Sequence, residues 1–258
     1  MSTAVLCIRP EPHYRCNAFT EGLKRLGYDI THRQNPDPRF RPSGRDDLLV
    51  LWNKKRGHDE TMAHQWEKLG GTVIVAENGY LQQTDKTYYA LATHGHNGSG
   101  WFPVGADDRF AKLSFAIKPP RDDGEYILVR EQRGIGSQLM ASPPGWGQKM
   151  VATLQRHAPF PVRLMAHPGD KGKLEKDLAA MAGARSVVIW SSAIGVRALV
   201  EGVPVQHFAP HWICETWAKD REAALQRMAH AQWHFDEIAS GEPFARMKAE
   251  GWGPKWTS

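Results

Sequence analysis

Short apolar runs alternate with amphipathic stretches through the first third of the chain. The pattern predicts strands at residues 3–8, 28–32, 47–52 and 72–76 and helices at residues 17–26 and 58–69. Residues 77–79, with the sequence Glu-Asn-Gly, are expected to form a turn after the fourth strand. Strand alternating with helix is typical of a parallel sheet covered by helices. The first part of the chain is therefore predicted to form such a sheet.

The same alternation returns later in the chain. It predicts strands at residues 126–129, 162–166, 187–190 and 203–208, with helices within 144–157, at 174–181 and between Gly195 and Gly202. The tail from residue 219 to residue 248 is read as one or two amphipathic helices. A second parallel sheet is therefore expected.

Between residues 81 and 120 the periodicity fails. The stretch HGHNGSGWFPVG in its middle holds four glycines. Long irregular segments in compact proteins are often functional, so this one is interpreted as a mobile loop and a linker. The predicted fold is α/β, with two Rossmann-like halves, a cleft between them and C-terminal helices bracing the first half. The predicted bounds are 1–120, 121–218 and 219–258.

Composition narrows the class of protein. A chain of 258 residues that is 41% apolar and 24% charged is ordinary for a soluble globular protein. No run approaches the roughly 18 apolar residues of a membrane span, and the first residues lack a signal peptide's apolar segment. These features favour a cytoplasmic protein with no membrane partner. The three scattered cysteines favour neither a disulfide framework nor a zinc site. The oligomeric state is left open.

The charge of the chain indicates which kind of partner it could bind. The formal net charge is +5, and basic residues concentrate near the N-terminus. A basic face favours polyanions such as nucleic acid, although a solvated surface without a partner explains the same charge. The candidate DNA-binding residues are Arg39, Arg41, Lys54, Lys55 and Arg56.

The turn after the strand at 187–190 carries the most informative chemistry. Ser191 and Ser192 stand where a parallel strand passes into a helix, and the first N–H groups of that helix, at Ala193 and Ile194, point outward. Such a turn suits a phosphate. Gly134 and Gly136 would let a second loop approach the phosphates, although this loop also suits an ordinary hairpin or a helix entry. No GxGxxG follows the first strand, which disfavours an NAD enzyme.

These motifs carry a resemblance to a known family. QRGIGS, PPGW, HPGD, WSSAIG and GVPVQHFAPHWI together resemble a short GT-B-type glycosyltransferase family associated with bacteriophages. The turn from Ala76 to Gly79 resembles the acidic turn of capsule-type Kdo transferases. The resemblance implies a nucleotide-sugar donor, with a UDP-sugar favoured, no metal and no covalently bound cofactor. It also implies transfer to a hydroxyl, for which a hydroxymethylated pyrimidine in double-stranded phage DNA is favoured. The protein would then act in the host cytoplasm.

The resemblance also implies a donor site. Many GT-B members have Glu where this chain has Arg197, and a guanidinium suits diphosphate oxygens better than ribose hydroxyls. Glu201 is the candidate for the ribose, although an exposed carboxylate without a ligand explains it equally. His167 is the candidate for a sugar hydroxyl or a phosphate, although it also suits a cap of the neighbouring helix. The predicted donor-binding residues are Arg130, Gln132, Arg133, Gly134, Gly136, His167, Ser191, Ser192, Ala193, Arg197 and Glu201.

Transfer to a hydroxyl also needs a base. Glu77 is the leading candidate, although Asn78 stands where the Kdo-transferase pattern has Asp. Asp85, His94 and His96 are the alternatives, and the two histidines also suit a polar surface loop. A metal held by the histidine pair is disfavoured because no other ligands have normal spacing.

Two other functions remain open. A polysaccharide or small-molecule glycosyltransferase would use the same donor site with a different acceptor. A non-catalytic α/β binding protein of phage origin would keep the fold without turnover.

Overall fold

The computed structural model describes residues 1–81, 87–121, 123–167 and 174–254. The chain is a mixed α/β protein with two sheets built mainly of parallel strands. It divides into two compact units. The first unit comprises Met1–Asp107, Gly136–Gln138 and His230–Ser258, and the second comprises Asp108–Ile135 and Leu139–Ala229.

The described residues form ten strands and nine α-helices. The strands are β1 (Thr3–Cys7), β2 (Asp29–His32), β3 (Leu48–Trp52), β4 (Thr72–Asn78), β5 (Tyr88–Thr93), β6 (Tyr126–Arg130), β7 (Val162–Met165), β8 (Ala184–Ile189), β9 (Val205–His207) and β10 (Gln232–His234). The helices are α1 (His13–Arg25), α2 (His58–Lys68), α3 (Arg109–Lys112), α4 (Trp146–His157), α5 (Leu174–Ala182), α6 (Ala193–Val200), α7 (Arg221–Ala229), α8 (Phe235–Ser240) and α9 (Glu242–Ala249).

The first unit is built on a six-stranded sheet with the order β10-β5-β4-β3-β1-β2. Strands β1 to β4 run parallel, whereas β5 is antiparallel to β4 and β10 is antiparallel to β5. The last strand of the chain therefore completes the sheet that the first strand begins.

Alternation along the strands divides the core of this sheet into two layers. Ala4 and Leu6 of β1 face a cluster that includes residues of α1, α8 and α9, while Val5 and Cys7 face a cluster that includes Ala63 of α2. Because successive side chains of a strand point to opposite faces, a strand covered on both sides reads as a continuous apolar run.

The second unit contains a four-stranded sheet, β7-β6-β8-β9, in which every pair is parallel. Helix α4 packs Trp146 against Val129 and Val188 of this sheet. Helix α6 packs against β8, β9 and α7. Carboxyl ends of parallel strands lie at the same edge of a sheet, which is where α/β proteins bind ligands.

Most predicted strands and helices of the two sheets are confirmed, with bounds shifted by a few residues. Three predictions are wrong. Glu77 and Asn78 belong to β4 rather than to a turn, because they pair with Ala90 and Tyr89 of β5. The segment 81–120 contains strand β5, and the C-terminal tail contains strand β10 between α7 and α8. Each of these residues is strand because a distant strand supplies its hydrogen bonds, which local periodicity does not reveal.

Gly22 of α1 lies where helices α1 and α8 come into close contact. A Cβ atom built on it would lie 1.9 Å from the carbonyl oxygen of Ile238 in α8. We expect Gly22→Ala to lower the free energy of unfolding by roughly 1–3 kcal/mol, because backbone must move to admit the methyl group. Urea unfolding measures this. Gly44→Ala is the control, since a Cβ there meets nothing within 4 Å and its φ is not positive. Equal stability of the two variants would contradict the packing described.

Candidate functional site

The turn after β8 is held by a side chain from the neighbouring strand. Gln132 lies two residues after the end of β6, and its Oε1 accepts hydrogen bonds from the backbone N–H groups of Trp190 at 2.9 Å and Ser191 at 2.8 Å. Its Nε2 lies 3.4 Å from Oγ of Ser191. The side-chain amide of Gln132 thus binds the turn itself. Gln132 therefore holds the shape of the predicted donor site and does not extend towards the donor.

Helix α6 begins directly after this turn. Ser192 is its N-cap, with Oγ accepting a long hydrogen bond of 3.4 Å from the N–H of Ile194. Ala193 is exposed, and Ser191 and Ser192 are half-buried. The structure therefore brings the two serines and the first turn of α6 together at the carboxyl edge of the second sheet. The positive end of the helix dipole favours an anion at this position.

Arg130 is not available as predicted for a phosphate. It is 3% exposed, its Nη1 lies 3.1 Å from Oδ1 of Asp177, and it also donates to the carbonyl oxygen of Ala166 at 3.0 Å. Burial lowers the pKa of Arg130 and raises the pKa of Asp177. The guanidinium is committed to joining β6 to the residue after β7 and to α5.

Arg197 and Glu201 do not join the serine turn either. Nη2 of Arg197 lies 2.9 Å from Oε1 of Glu201, and its guanidinium lies over the ring of Phe115. Lys118 pairs with the other oxygen of Glu201. Burial would raise the pKa of Glu201, but the hydrogen bond from Lys118 and the charge of Arg197 outweigh it and lower the pKa. Arg197 and Glu201 thus form an ion-pair cluster in the last turn of α6, and their assignment to diphosphate and ribose stays a prediction.

The remaining predicted donor residues lie on loops. Gly134 has a φ of +65°, and a Cβ there would lie 2.9 Å from the carbonyl oxygen of Ser142, so the loop requires glycine. Gly136 also has a positive φ, of +132°. Arg133 is exposed, and His167, two residues after the end of β7, is half-buried. Residues 168–173, which contain the rest of the HPGD motif, lie outside the described residues.

In the first unit, Glu77 lies at the carboxyl end of β4. Val73 and Val75 of that strand face α2, so Glu77, two residues further, lies on the same face. The hydroxyl of Tyr80 donates a hydrogen bond to Oε1 of Glu77 and accepts one from the backbone N–H of Asn97 at 2.9 Å. Glu77 is half-buried. Asp85, the first alternative base, lies outside the described residues.

The other candidate bases, His94 and His96, are buried polar residues. His94 and His96 are each 7% exposed, so the surface-loop interpretation is wrong for both. Nδ1 of His94 lies 2.9 Å from Oε1 of Glu67, and Nζ of Lys54 donates to the carbonyl oxygen of His94. Among the described residues, Nδ1 of His96 has no hydrogen-bond partner. Burial of these two histidines removes them from direct contact with a large acceptor.

Lys54 is therefore a core residue and not a DNA ligand, which corrects that prediction. It is 6% exposed, and burial lowers its pKa while the nearby carboxylate of Glu67 opposes the shift. Arg39 pairs with Asp37, and the side chain of that arginine is 85% exposed. Arg41, Lys55 and Arg56 are exposed.

Neighbouring lysines allow a matched comparison. We expect Lys54→Met to lower the free energy of unfolding by roughly 1.5–3 kcal/mol, because Met keeps the apolar length but removes a charged donor from the buried carbonyl group of His94. Lys55→Met, at an exposed position, should change it by about 0.5 kcal/mol or less. Urea unfolding with both variants measures the difference. Equal, small effects would show that the cluster does not stabilise this unit.

Proteins similar to this chain are found through its fold. No family model matches the sequence, and no curated protein matches it. Solved structures do match, and two of them are Kdo transferases. The fold resembles theirs.

Both of these structures are of KpsC from Thermosulfurimonas dismutans. The β-Kdo 2,7 transferase has a TM-score of 0.53 and 12% identity, covering 95% of this chain and 99% of that one. The β-Kdo 2,4 transferase has a TM-score of 0.54 and 12% identity, covering 93% of this chain and 98% of that one. At this identity the likeness concerns the fold.

Two features are absent from the part of the chain that the structure describes. The described residues contain no group of three or more His, Cys, Asp or Glu side chains placed to hold a metal ion. Within residues 1–81, 87–121, 123–167 and 174–254, no helix has the length and apolar character to cross a membrane.

Sequence reasoning missed the partners of the candidate residues. Tyr80 follows Glu77 by three residues, and that spacing was the only local signal of their contact. Glu67 and Asn97 come from segments that are distant in sequence from the groups they bind, so no local pattern pointed to them.

Proposed function

We propose that this chain is a GT-B-type glycosyltransferase that moves a sugar from a nucleotide-sugar to a hydroxyl acceptor. The observation that carries the proposal is the likeness of nearly the whole chain to two sugar transferases. The serine turn at the start of α6 supports it independently, because it offers an anion site at the carboxyl edge of a parallel sheet. Fold alone does not fix chemistry, so the proposal depends on both.

In this proposal the second unit binds the donor. The leaving phosphate lies at the first turn of α6, where Ser191, Ser192 and the N–H of Ala193 donate to its oxygens. The long hydrogen bond from Ile194 to Ser192 can be exchanged for one to phosphate. The loop that contains Arg133, and His167 after β7, contribute further donors. The predicted bounds of 121–218 for a donor domain and 1–120 for an acceptor domain belong to this proposal.

The first unit supplies the base. The acceptor oxygen attacks the anomeric carbon of the sugar, and the bond from that carbon to the phosphate oxygen breaks, with its electron pair passing to the phosphate. The proton of the acceptor hydroxyl passes to the carboxylate of Glu77. Fixed donors at α6 stabilise the negative charge that develops on the leaving group, and no step is assigned to a metal.

The acceptor and the sugar are the finer part of the proposal. The two structural neighbours are Kdo transferases, so an activated Kdo stands beside a UDP-sugar as a candidate donor. A DNA acceptor has less support than the sequence suggested, because Lys54 is buried. Arg41, Lys55 and Arg56 remain exposed cations that could contact phosphates.

Incubation of the protein with UDP-, GDP- and CMP-sugars, activated Kdo among them, tests the proposal. Acceptors should include hydroxymethylated DNA, unmodified DNA and oligosaccharides, with products analysed by mass spectrometry. A sugar mass increment on any acceptor supports transfer and identifies the acceptor class. Lack of donor binding, of donor hydrolysis and of transfer with every pair would overturn the proposal and favour a non-catalytic binding protein. If DNA is the acceptor, its binding to the protein should weaken as the salt concentration rises. It should also weaken in the variants Lys55→Ala and Arg56→Ala.

A further inference from the structure

The hydroxyl of Tyr80 connects the candidate base to the backbone of a distant loop. It accepts the N–H of Asn97 at 2.9 Å and donates to Oε1 of Glu77. A tyrosine hydroxyl has one proton and two lone pairs. Because the N–H of Asn97 occupies a lone pair, the single proton is directed at the carboxylate. A hydrogen bond of this direction fixes the place of the carboxylate oxygen that accepts it.

Both ends of this connection are held in place. The backbone N–H of Tyr80 donates to Oε1 of Gln232 at 2.8 Å, and the side chain of Tyr80 is buried, with the residue 6% exposed. Gly79, just before it, donates to the carbonyl oxygen of Tyr88 at 2.9 Å. Asn97 begins a short 3-10 helix, Asn97–Ser99, with its own side chain accepting from the N–H of Gly98 at 3.0 Å. These contacts hold the side chain of Tyr80 in place. They thereby also hold Oε1 of Glu77, which accepts the hydrogen bond of the Tyr80 hydroxyl.

The other carboxylate oxygen differs from the first. Among the described residues, Tyr80 is the one hydrogen-bond donor to the side chain of Glu77, and it binds Oε1. Oε2 is thus the oxygen left to receive a proton from a substrate. One carboxylate oxygen is held by Tyr80, and the other is open to the substrate, so proton transfer to the base has a defined direction. This orientation is a large part of the catalytic effect of a general base.

We propose that Tyr80 is a positioning residue, which holds Oε1 of Glu77 so that Oε2 faces the acceptor hydroxyl. This inference rests on the proposed function, since it takes Glu77 as the base. Tyr80 itself touches no reacting atom. Its effect passes through Glu77 alone, and this sets how it is tested.

The first measurement needs no substrate. The side chain of Glu77 should populate more rotamers in Tyr80→Phe than in the unchanged protein, as measured by side-chain NMR couplings at one fixed pH, because Phe removes the donor that holds Oε1. The control is Tyr28→Phe, at a buried tyrosine whose hydroxyl has no hydrogen-bond partner in the described part of the chain. That control should leave the rotamers of Glu77 unchanged. An unchanged rotamer distribution in Tyr80→Phe, with the fold intact by thermal melting, would overturn the inference.

The second measurement uses the transferase reaction. Tyr80→Phe should lower kcat on the order of ten-fold to a hundred-fold with little change in the KM of the donor. In a Glu77→Gln background the same change should cost almost nothing, because the base through which Tyr80 acts is already gone. Equal losses in both backgrounds would show that Tyr80 acts by another route.

These outcomes separate the inference from the function on which it rests. A protein without donor binding or turnover fails the proposed function, while the NMR measurement of the Glu77 rotamers still decides whether Tyr80 positions the carboxylate. Turnover that survives Glu77→Gln fails the assignment of the base and, with it, the role of Tyr80 in catalysis.

Discussion

Replacing Glu77 with Gln is expected to lower kcat for sugar transfer by roughly 10²–10⁴-fold, the usual contribution of a general base. Gln has the size of Glu, and its carbonyl oxygen can still accept the hydrogen bond from Tyr80, so the fold should be unchanged. What is lost is an oxygen basic enough to take the proton of the acceptor. The KM of the donor should stay within about two-fold, because the donor is proposed to bind elsewhere. Steady-state kinetics with saturating acceptor measures both constants.

The neighbouring residue provides the control. Asn78 is exposed and, one position along β4, points to the opposite face of the sheet. Asn78→Ala should therefore keep most of the activity. In Glu77→Ala, added formate should restore part of the rate if the missing group is a base. Activity of Glu77→Gln within about three-fold of the unchanged protein would exclude Glu77 as the base.

Replacing Gln132 with Glu is expected to raise the Kd of the nucleotide-sugar by about 100-fold. The carboxylate can accept the N–H groups of Trp190 and Ser191 as the amide does, so the turn should keep its shape. It adds a negative charge beside the place proposed for the leaving phosphate. Two like charges about 6 Å apart at an effective dielectric constant near 20 repel by roughly 3 kcal/mol, and every 1.4 kcal/mol is about ten-fold in Kd.

Isothermal titration calorimetry with the donor identified by the product screen measures this effect. Gln155→Glu, on the exposed face of α4, makes the same change of charge away from the turn and should leave the Kd within about two-fold. A Kd in Gln132→Glu as low as in the unchanged protein would place the phosphate somewhere other than the serine turn.

The elements that could be predicted from the sequence are those whose hydrogen bonds and packing follow from local pattern. Strands β1, β3 and β4 are buried apolar runs, and α2 and α6 have apolar residues at helical spacing. Strand β5 was missed because it precedes a glycine-rich stretch and pairs with β4 in the antiparallel sense. Its neighbour β10 was missed because its partner lies about 140 residues away, a separation given by the register of Gln232 and Ala90.

The candidate site shows the same division. Ser191, Ser192 and Ala193 stand where the sequence placed them, since a strand end, a turn and a helix start follow one another along the chain. Arg197 forms an ion pair with Glu201, and the i,i+4 spacing of the two residues was a local sign of this pair. The burial of Lys54 beside Glu67 and His94 had no such sign, because it depends on three segments that meet only in the folded unit.

The placement of β10, α8 and α9 in the first unit has a consequence for how the chain acquires its structure during synthesis. As the nascent polypeptide leaves the ribosome, residues up to Asp107 emerge well before the strand that pairs with β5 and the helices that pack against α1. Until then the edge of β5 and the apolar side of α1 have no cover from these residues, and an unpaired strand edge invites association with other chains. The second unit emerges whole in the interval, so the first unit begins to emerge before the second and is completed after it.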